Sequence, residues 1–129
     1  MQPQICRVNE EKLVVLVVDD SALIMDKMIG ILGDIENIRI VFQANDHAEA
    51  ITIVEEAEPD IILMDIFLQG HICFDLLKFL RSNYPALRTV VFTNHAGQHY
   101  RDRCQRMGAH HFFDKSKDFD RIQEIINHN

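Results

Sequence analysis

Apolar residues fall along this chain in two alternating kinds of segment. One kind is short, apolar throughout and rich in β-branched residues: Leu13 to Val18, Ile38 to Phe42, Ile61 to Met64, Thr89 to Phe92 and His111 to Phe113. Continuous apolar runs without alternation predict strands covered on both faces, as in a parallel sheet. The other kind is longer and amphipathic. Ser21 to Leu32 opens on a good N-cap residue and stops before Gly33. Asp46 to Ala57 opens with Asp46 three residues ahead of Glu49 and closes at Glu58, before Pro59. Ile72 to Asn83 carries Leu76, Leu77 and Leu80 at helical spacing; Gln98 to Met107, closing at Gly108, and Asp118 to His128 complete the set. Five strands alternating with five helices predict an α/β domain, a doubly wound parallel sheet with helices on both faces. Residues 1–11 read as a tail and 12–129 as the one domain.

Composition narrows the function. Twenty acids against thirteen bases give a net charge of −7, which argues against nucleic-acid backbones and anionic membranes as partners. Cys6, Cys73 and Cys104 are far apart and lack CxxC spacing, so neither a disulfide framework nor a zinc site is expected. Cys73 and Cys104 read as small packing residues. The longest purely apolar run, Leu13 to Val18, is too short to span a bilayer, and Met1 to Glu11 lacks a signal peptide's apolar region. A reduced, cytoplasmic setting is expected.

In an open parallel sheet, chemistry gathers beyond the carboxyl ends of the strands. Here the first strand ends in Asp19-Asp20, the third in Asp65, the fourth in Thr93-Asn94 and the fifth in Asp114-Lys115. Close carboxylates repel unless something positive sits among them. Magnesium suits that place, because it takes few carboxylates, keeps several waters and bridges to phosphoryl groups. Lys115 is suited to neutralising phosphoryl oxygens and Thr93 to hydrogen-bonding one. A carboxylate beside magnesium is a competent nucleophile towards phosphorus. Taken alone, Asp20 or Asp65 reads more readily as a cap than as a ligand; four strand ends carrying the right groups together point to chemistry.

At this point the chain resembles the response-regulator receiver domain of two-component signalling, from about Lys12 to the C-terminus. Val17-Val18-Asp19-Asp20-Ser21 is similar to the family's first-strand acidic pair, and Asp60 to Asp65 to the segment ending in its phosphoacceptor. Val90-Val91-Phe92-Thr93 is similar to its hydroxyl-bearing strand end, and Gly108-Ala109 with Phe112-Phe113-Asp114-Lys115 to the segment ending in its lysine. The resemblance implies a flavodoxin-like fold with strand order 2-1-3-4-5. It implies Asp65 as acceptor of a phosphoryl group from a phosphohistidine on a histidine kinase or phosphotransfer protein. Asp20 would bind Mg2+ directly and Asp19 largely through water, with Asp65 and the Phe67 backbone carbonyl completing the protein ligands. Thr93 and Lys115 would hold the phosphoryl oxygens, and Phe112 would be the switch aromatic that turns inward when Thr93 moves; a plain core Phe is the other reading of Phe112.

Three positions depart from the family pattern. The loop after Asp65 reads Ile66-Phe67-Leu68-Gln69-Gly70-His71-Ile72-Cys73 where a Met-Pro and an Asp-Gly pair are usual. Phe67 is bulky and apolar, and Asn94 follows Thr93 where a small residue is preferred; both are expected to shield an acyl phosphate from water, giving slow self-hydrolysis. Ser116 stands where the family has a proline in a cis peptide. A non-proline cis bond costs about 2.5–4 kcal/mol, which leaves a trans bond or a strained one, with Lys115 still reaching the crevice.

The first helix predicts a core stripe of Ile24, Met28, Ile31 and Leu32, with Leu23 nearly opposite and Ala22 and Ile29 off the stripe. An apolar patch there suits a partner's helix bundle, although single exposed leucines are ordinary. Arg101, Arg103 and Arg106, with His95, His99, His110 and His111, form a locally basic stretch. The family's output surface, its fourth helix, fifth strand and fifth helix, lies here and would bind a downstream protein or a second copy; a solvated helix face is the alternative. His95 and His99 offer a metal pair only if they share a helix.

The leading expectation is a stand-alone, phosphorylation-controlled switch, monomeric or dimerising on phosphorylation, and not an enzyme with an external substrate. A receiver-like adaptor that works by binding alone is the first alternative. A small magnesium-dependent phosphohydrolase is the second, although no Asp-x-Asp motif follows the first strand.

Overall fold

A computed structural model describes residues 12–128; the expected tail, residues 1–11 with Cys6, lies outside the described residues. Strands β1 (Leu13–Val18), β2 (Ile38–Ala44), β3 (Ile61–Met64), β6 (Arg88–Thr93) and β7 (His111–Asp114) form one sheet in the order β2-β1-β3-β6-β7, and every pairing in it is parallel. Counted without the intervening hairpin, this is the expected 2-1-3-4-5. Helices α1 (Ala22–Gly33), α2 (His47–Ala57), α3 (Phe74–Asn83), α4 (Gln98–Arg106) and α5 (Arg121–Asn127) complete the frame.

Successive residues of a strand point to opposite faces, and the unbroken apolar runs supply both. Leu16, Val18, Ile62, Met64 and Val91 pack beneath α2, α3 and α4, through Ala50, Val54, Leu76, Leu77, Leu80 and Cys104. Val15, Val17, Ile61, Leu63, Val90 and Phe92 pack beneath α1 and α5, through Met25, Met28, Leu32, Ile122, Ile125 and Ile126. In α1 the buried stripe is Met25, Met28 and Leu32, whereas Ile24, Ile29 and Ile31 are half-buried against it. The expected stripe is therefore rotated, with Met25 joining it and Ile24 and Ile31 at its margin.

The helix starts follow local chemistry. Ser21 Oγ accepts from the N–H of Ile24 at 3.3 Å, and Asp46 Oδ1 from that of Glu49 at 2.8 Å. Glu49 Oε1 in turn accepts from the N–H of Asn45 at 2.6 Å. The third helix begins later than its pattern suggested. His71–Ile72 (β5) pairs antiparallel with Phe67–Leu68 (β4), and α3 starts only at Phe74. Gln69 at φ 54° and Gly70 at φ 77° reverse the chain between these strands, which is the backbone a two-residue hairpin needs.

Candidate functional site

Each of the acids Asp19 and Asp65 stands one residue past its strand, held there by an extension of the ladder. The N–H of Asp19 donates to Ala44 O at 3.1 Å and that of Asp65 to Val18 O at 3.0 Å. Lys115 follows β7 in the same way, its N–H donating to Thr93 O at 3.0 Å. Backbone bonding thus delivers side chains from β1, β3 and β7 to one end of the sheet, where Thr93 closes β6.

There Lys115 Nζ lies 2.5 Å from Asp19 Oδ2 and 2.6 Å from Asp65 Oδ2. All three residues are buried, and Thr93 is fully so. The second carboxylate oxygens are held by backbone: Asp19 Oδ1 accepts from the N–H of Ser21 at 2.9 Å and Asp65 Oδ1 from that of Phe67 at 3.0 Å. Burial pushes the Asp19 carboxyl above its usual range, against the pull of Lys115 and the Ser21 N–H. Burial also works against the Lys115 ammonium, but hydrogen bonds and charge from Asp19 and Asp65 outweigh it and hold the lysine above its usual value. Thr93 Oγ1 accepts from the N–H of His95 at 3.0 Å, which leaves its own proton free to donate. The Lys115–Ser116 peptide is trans, no cis bond occurring among the described residues, and the lysine reaches the crevice nonetheless.

Asp20 is exposed and lies outside this ion pair; its Oδ2 accepts from the N–H of Gln69 at 2.7 Å. Accordingly, no three His, Cys, Asp or Glu side chains converge as a metal-ligand cluster among the described residues. The donor set still fits a hard cation. Beyond its ion pair, buried Asp19 Oδ2 has no hydrogen-bond partner among the described residues, and magnesium needs only one or two carboxylates beside its waters.

A family model for the response regulator receiver domain matches residues 15–127. The chain belongs to that family. Among relatives of the receiver, the transcriptional regulatory protein DegU of Brevibacillus brevis is 28% identical over 120 residues, covering 93% of this chain and 51% of the relative. The response regulator GacA of Pseudomonas aeruginosa is 28% identical over 112 residues, covering 87% and 52%. The crystal structure of the receiver domain of NtrX from Brucella abortus agrees with a TM-score of 0.78 at 28% identity, covering 88% of this chain and 95% of that one. The chain spans about half the length of the curated relatives it matches.

Two aromatic rings meet just past two residues of the receiver's acidic crevice. Phe67, two residues past Asp65, stacks on His95, two residues past Thr93, with centroids 4.3 Å apart and planes 17° from parallel. Tyr100 stands edge-on to His95 at 5.9 Å. Sequence reasoning singled out Phe67 and Asn94 here; Asn94 is exposed, and His95 is the residue that meets Phe67. Their partnership is long-range and left no local signal beyond the shared offset from the two strand ends.

The fold disperses the histidines. His95 precedes α4, so it shares no helix with exposed His99, and the conditional metal pair is not formed. His110 and His111 lie at the opposite end of the sheet. There His110 Nδ1 accepts from the N–H of Thr89 at 3.0 Å, and His111 Nε2 lies 3.1 Å from Arg88 Nη2. The arginines separate too. Arg101 turns inward, its guanidinium 4.8 Å from the Phe112 ring centroid and its Nη1 donating to Phe112 O at 3.0 Å. Arg103 lies over Phe74 at 4.3 Å, and Arg106 is exposed. Phe112 is itself buried. Leu23, by contrast, is 78% exposed, beside exposed Ala22. Cys104 is buried, which pushes its thiol up to about 11, and Cys73 is half-buried; both are free. No helix among the described residues is long and apolar enough to cross a membrane.

Proposed function

We propose that this receiver is a phosphoacceptor switch whose acceptor is Asp65. The observation that carries the reading is the buried ammonium of Lys115 held between Asp19 and Asp65. A carboxylate oxygen of Asp65 attacks the phosphorus of a phosphohistidine on a histidine kinase or phosphotransfer protein. The new P–O bond forms as the P–N bond breaks, and the imidazole leaves with the electron pair. Lys115, whose ammonium already donates to Asp65, and the Thr93 hydroxyl take the phosphoryl oxygens. Asp19, Asp20, Asp65 and the Phe67 carbonyl would hold Mg2+, which supplies charge neutralisation for the transferring group. The Phe67–His95 stack limits water at the acyl phosphate.

Phosphorylation adds charge beside Thr93 and draws its hydroxyl towards the new oxygens. That hydroxyl holds the loop through His95, so the movement passes to α4, and through Phe112 to β7 and α5, the surface offered to a downstream protein or a second copy. Leu23, Ala22 and Ile29 on α1 are the docking patch for the phosphodonor. The domain extends over residues 12–129 and works in the cytoplasm. It catalyses only its own phosphorylation and dephosphorylation.

The test is intact mass after incubation with magnesium and a small acyl phosphate. One added phosphoryl group, absent from Asp65→Asn, is expected. No adduct, with magnesium binding also absent, would replace this reading with an adaptor that works by binding alone.

A further inference from the structure

Charge is divided unevenly across the sheet. Residues 12–73 carry twelve acids and three bases, whereas residues 74–128 carry six acids and nine bases. Because β2, β1 and β3 occupy one side of the sheet and β6 and β7 the other, an acidic protein has a basic flank.

On that flank the ends of α3 and α4 enclose a cleft of about 270 Å³, lined by Lys78, Arg81, Ser82, Arg106 and Met107. No acidic side chain among the described residues lines it. Among the described residues, none of Lys78, Arg81 and Arg106 is within ion-pair distance of a carboxylate. Cations in a helix's last turn are favourable in themselves, and Arg81 and Arg106 stand in such turns. That does not account for Lys78 a turn earlier on the same wall, nor for the absence of any compensating acid.

The backbone makes room for this arrangement. Gly108 has φ +99°, and a Cβ there would come within 2.6 Å of Arg81 Cδ and 2.8 Å of its Nε. Arg81 therefore lies along the bare backbone of Gly108.

We infer that this cleft is a binding site for a phosphate-type polyanion, separate from the phosphoacceptor crevice. The cleft is small, near the roughly 300 Å³ at which sites for drug-sized organic ligands begin, a scale that suits a diphosphate. Arginine forks and a lysine are the groups that recognise such an anion, with the Ser82 hydroxyl as a further donor. The anion is either free polyphosphate or the phosphate tail of a nucleotide.

The experiment is a residue-resolved amide NMR titration of the chain with inorganic pyrophosphate, in EDTA at physiological ionic strength, with ADP as a second arm. Saturable shifts are expected at residues 78–82 and 106–108. Arg81→Gln or Arg106→Gln should weaken them roughly tenfold each, and Arg39→Gln, on the acidic flank, should leave them unchanged. Lys78→Glu, at an exposed position, gives the same loss should an arginine variant fail to fold. Tighter binding of ADP with additional shifts assigns the site to a nucleotide, and equal binding assigns it to free polyphosphate. Shifts that rise without saturating, or that persist in the Arg81→Gln/Arg106→Gln variant, overturn the inference.

Discussion

The rings of Phe67 and His95 lie face to face, 4.3 Å between centroids, and each is anchored by its backbone N–H to a residue of the crevice, Phe67 to Asp65 Oδ1 and His95 to Thr93 Oγ1. The stacked rings and the crevice residues are therefore tied together by hydrogen bonds. Phe67→Ala keeps the backbone donor and removes the stacked ring. We expect the phosphorylated variant to lose its phosphoryl group about tenfold faster, the scale of one moderate barrier change, with acceptor yield at early times unchanged. Decay of the adduct by intact mass checks this; an unchanged half-life would mean that the stack does not gate water.

Removing Lys115 leaves Asp19 and Asp65 buried together without their cation. Breaking a buried pair from one side costs about 3–5 kcal/mol, so Lys115→Met should unfold at markedly lower urea in metal-free buffer at neutral pH. The deficit should shrink as pH falls and the carboxylates take up protons, and Asp19→Asn in the same chain should recover part of it. Urea midpoints of the three proteins across pH decide the matter.

His110 and His111 give the fold an acid-side dependence. Burial, then Arg88, lowers both pKa values, with Arg81 adding to the effect at His110, and His110 and Arg121 at His111. A base with a depressed folded pKa supports the fold above its unfolded value, about 6.5, and that support is lost as pH falls through the folded value. Stability should therefore drop between pH 7 and pH 5. The His110→Asn/His111→Asn variant, which keeps side-chain acceptors that do not titrate there, should flatten that part of the curve in denaturant melts.

Leu23 is the most exposed large apolar side chain described. Leu23→Ser should change stability by no more than about 0.5 kcal/mol. It should slow phosphorylation by a phosphotransfer protein while leaving phosphorylation by a small acyl phosphate intact. Equal slowing from both donors would remove α1 from the docking surface.

The sheet and the crevice were legible because their signals are local. Doubly covered strands need unbroken β-branched runs, and Asp19, Asp65 and Thr93 follow such runs directly, with Asp20 and Lys115 one residue further on. The β4–β5 hairpin was not legible, since strands of two residues are too short to display a period, and Ile72 fitted a helix equally well. Nor was the fate of the histidines. His95 and His110 are close along the chain, but α4 carries the backbone from one end of the sheet back to the other between them. Arg101 looked like surface charge, and only the packed fold gives it Phe112 to cover.

Lys115 is carried by β7, the last strand in the sheet, which among the described residues has a neighbour on one side only. Edge strands are more open to fraying than strands paired on both sides, and local opening of this kind precedes global unfolding. A slip of one residue there would turn the ammonium to the other face. The chemistry proposed for Asp65 thus hangs on the margin of the sheet rather than its middle. On that proposal, a substitution that loosened β7 would silence Asp65 with every carboxylate in place, and phosphorylation alone would not distinguish it from loss of Asp65 itself.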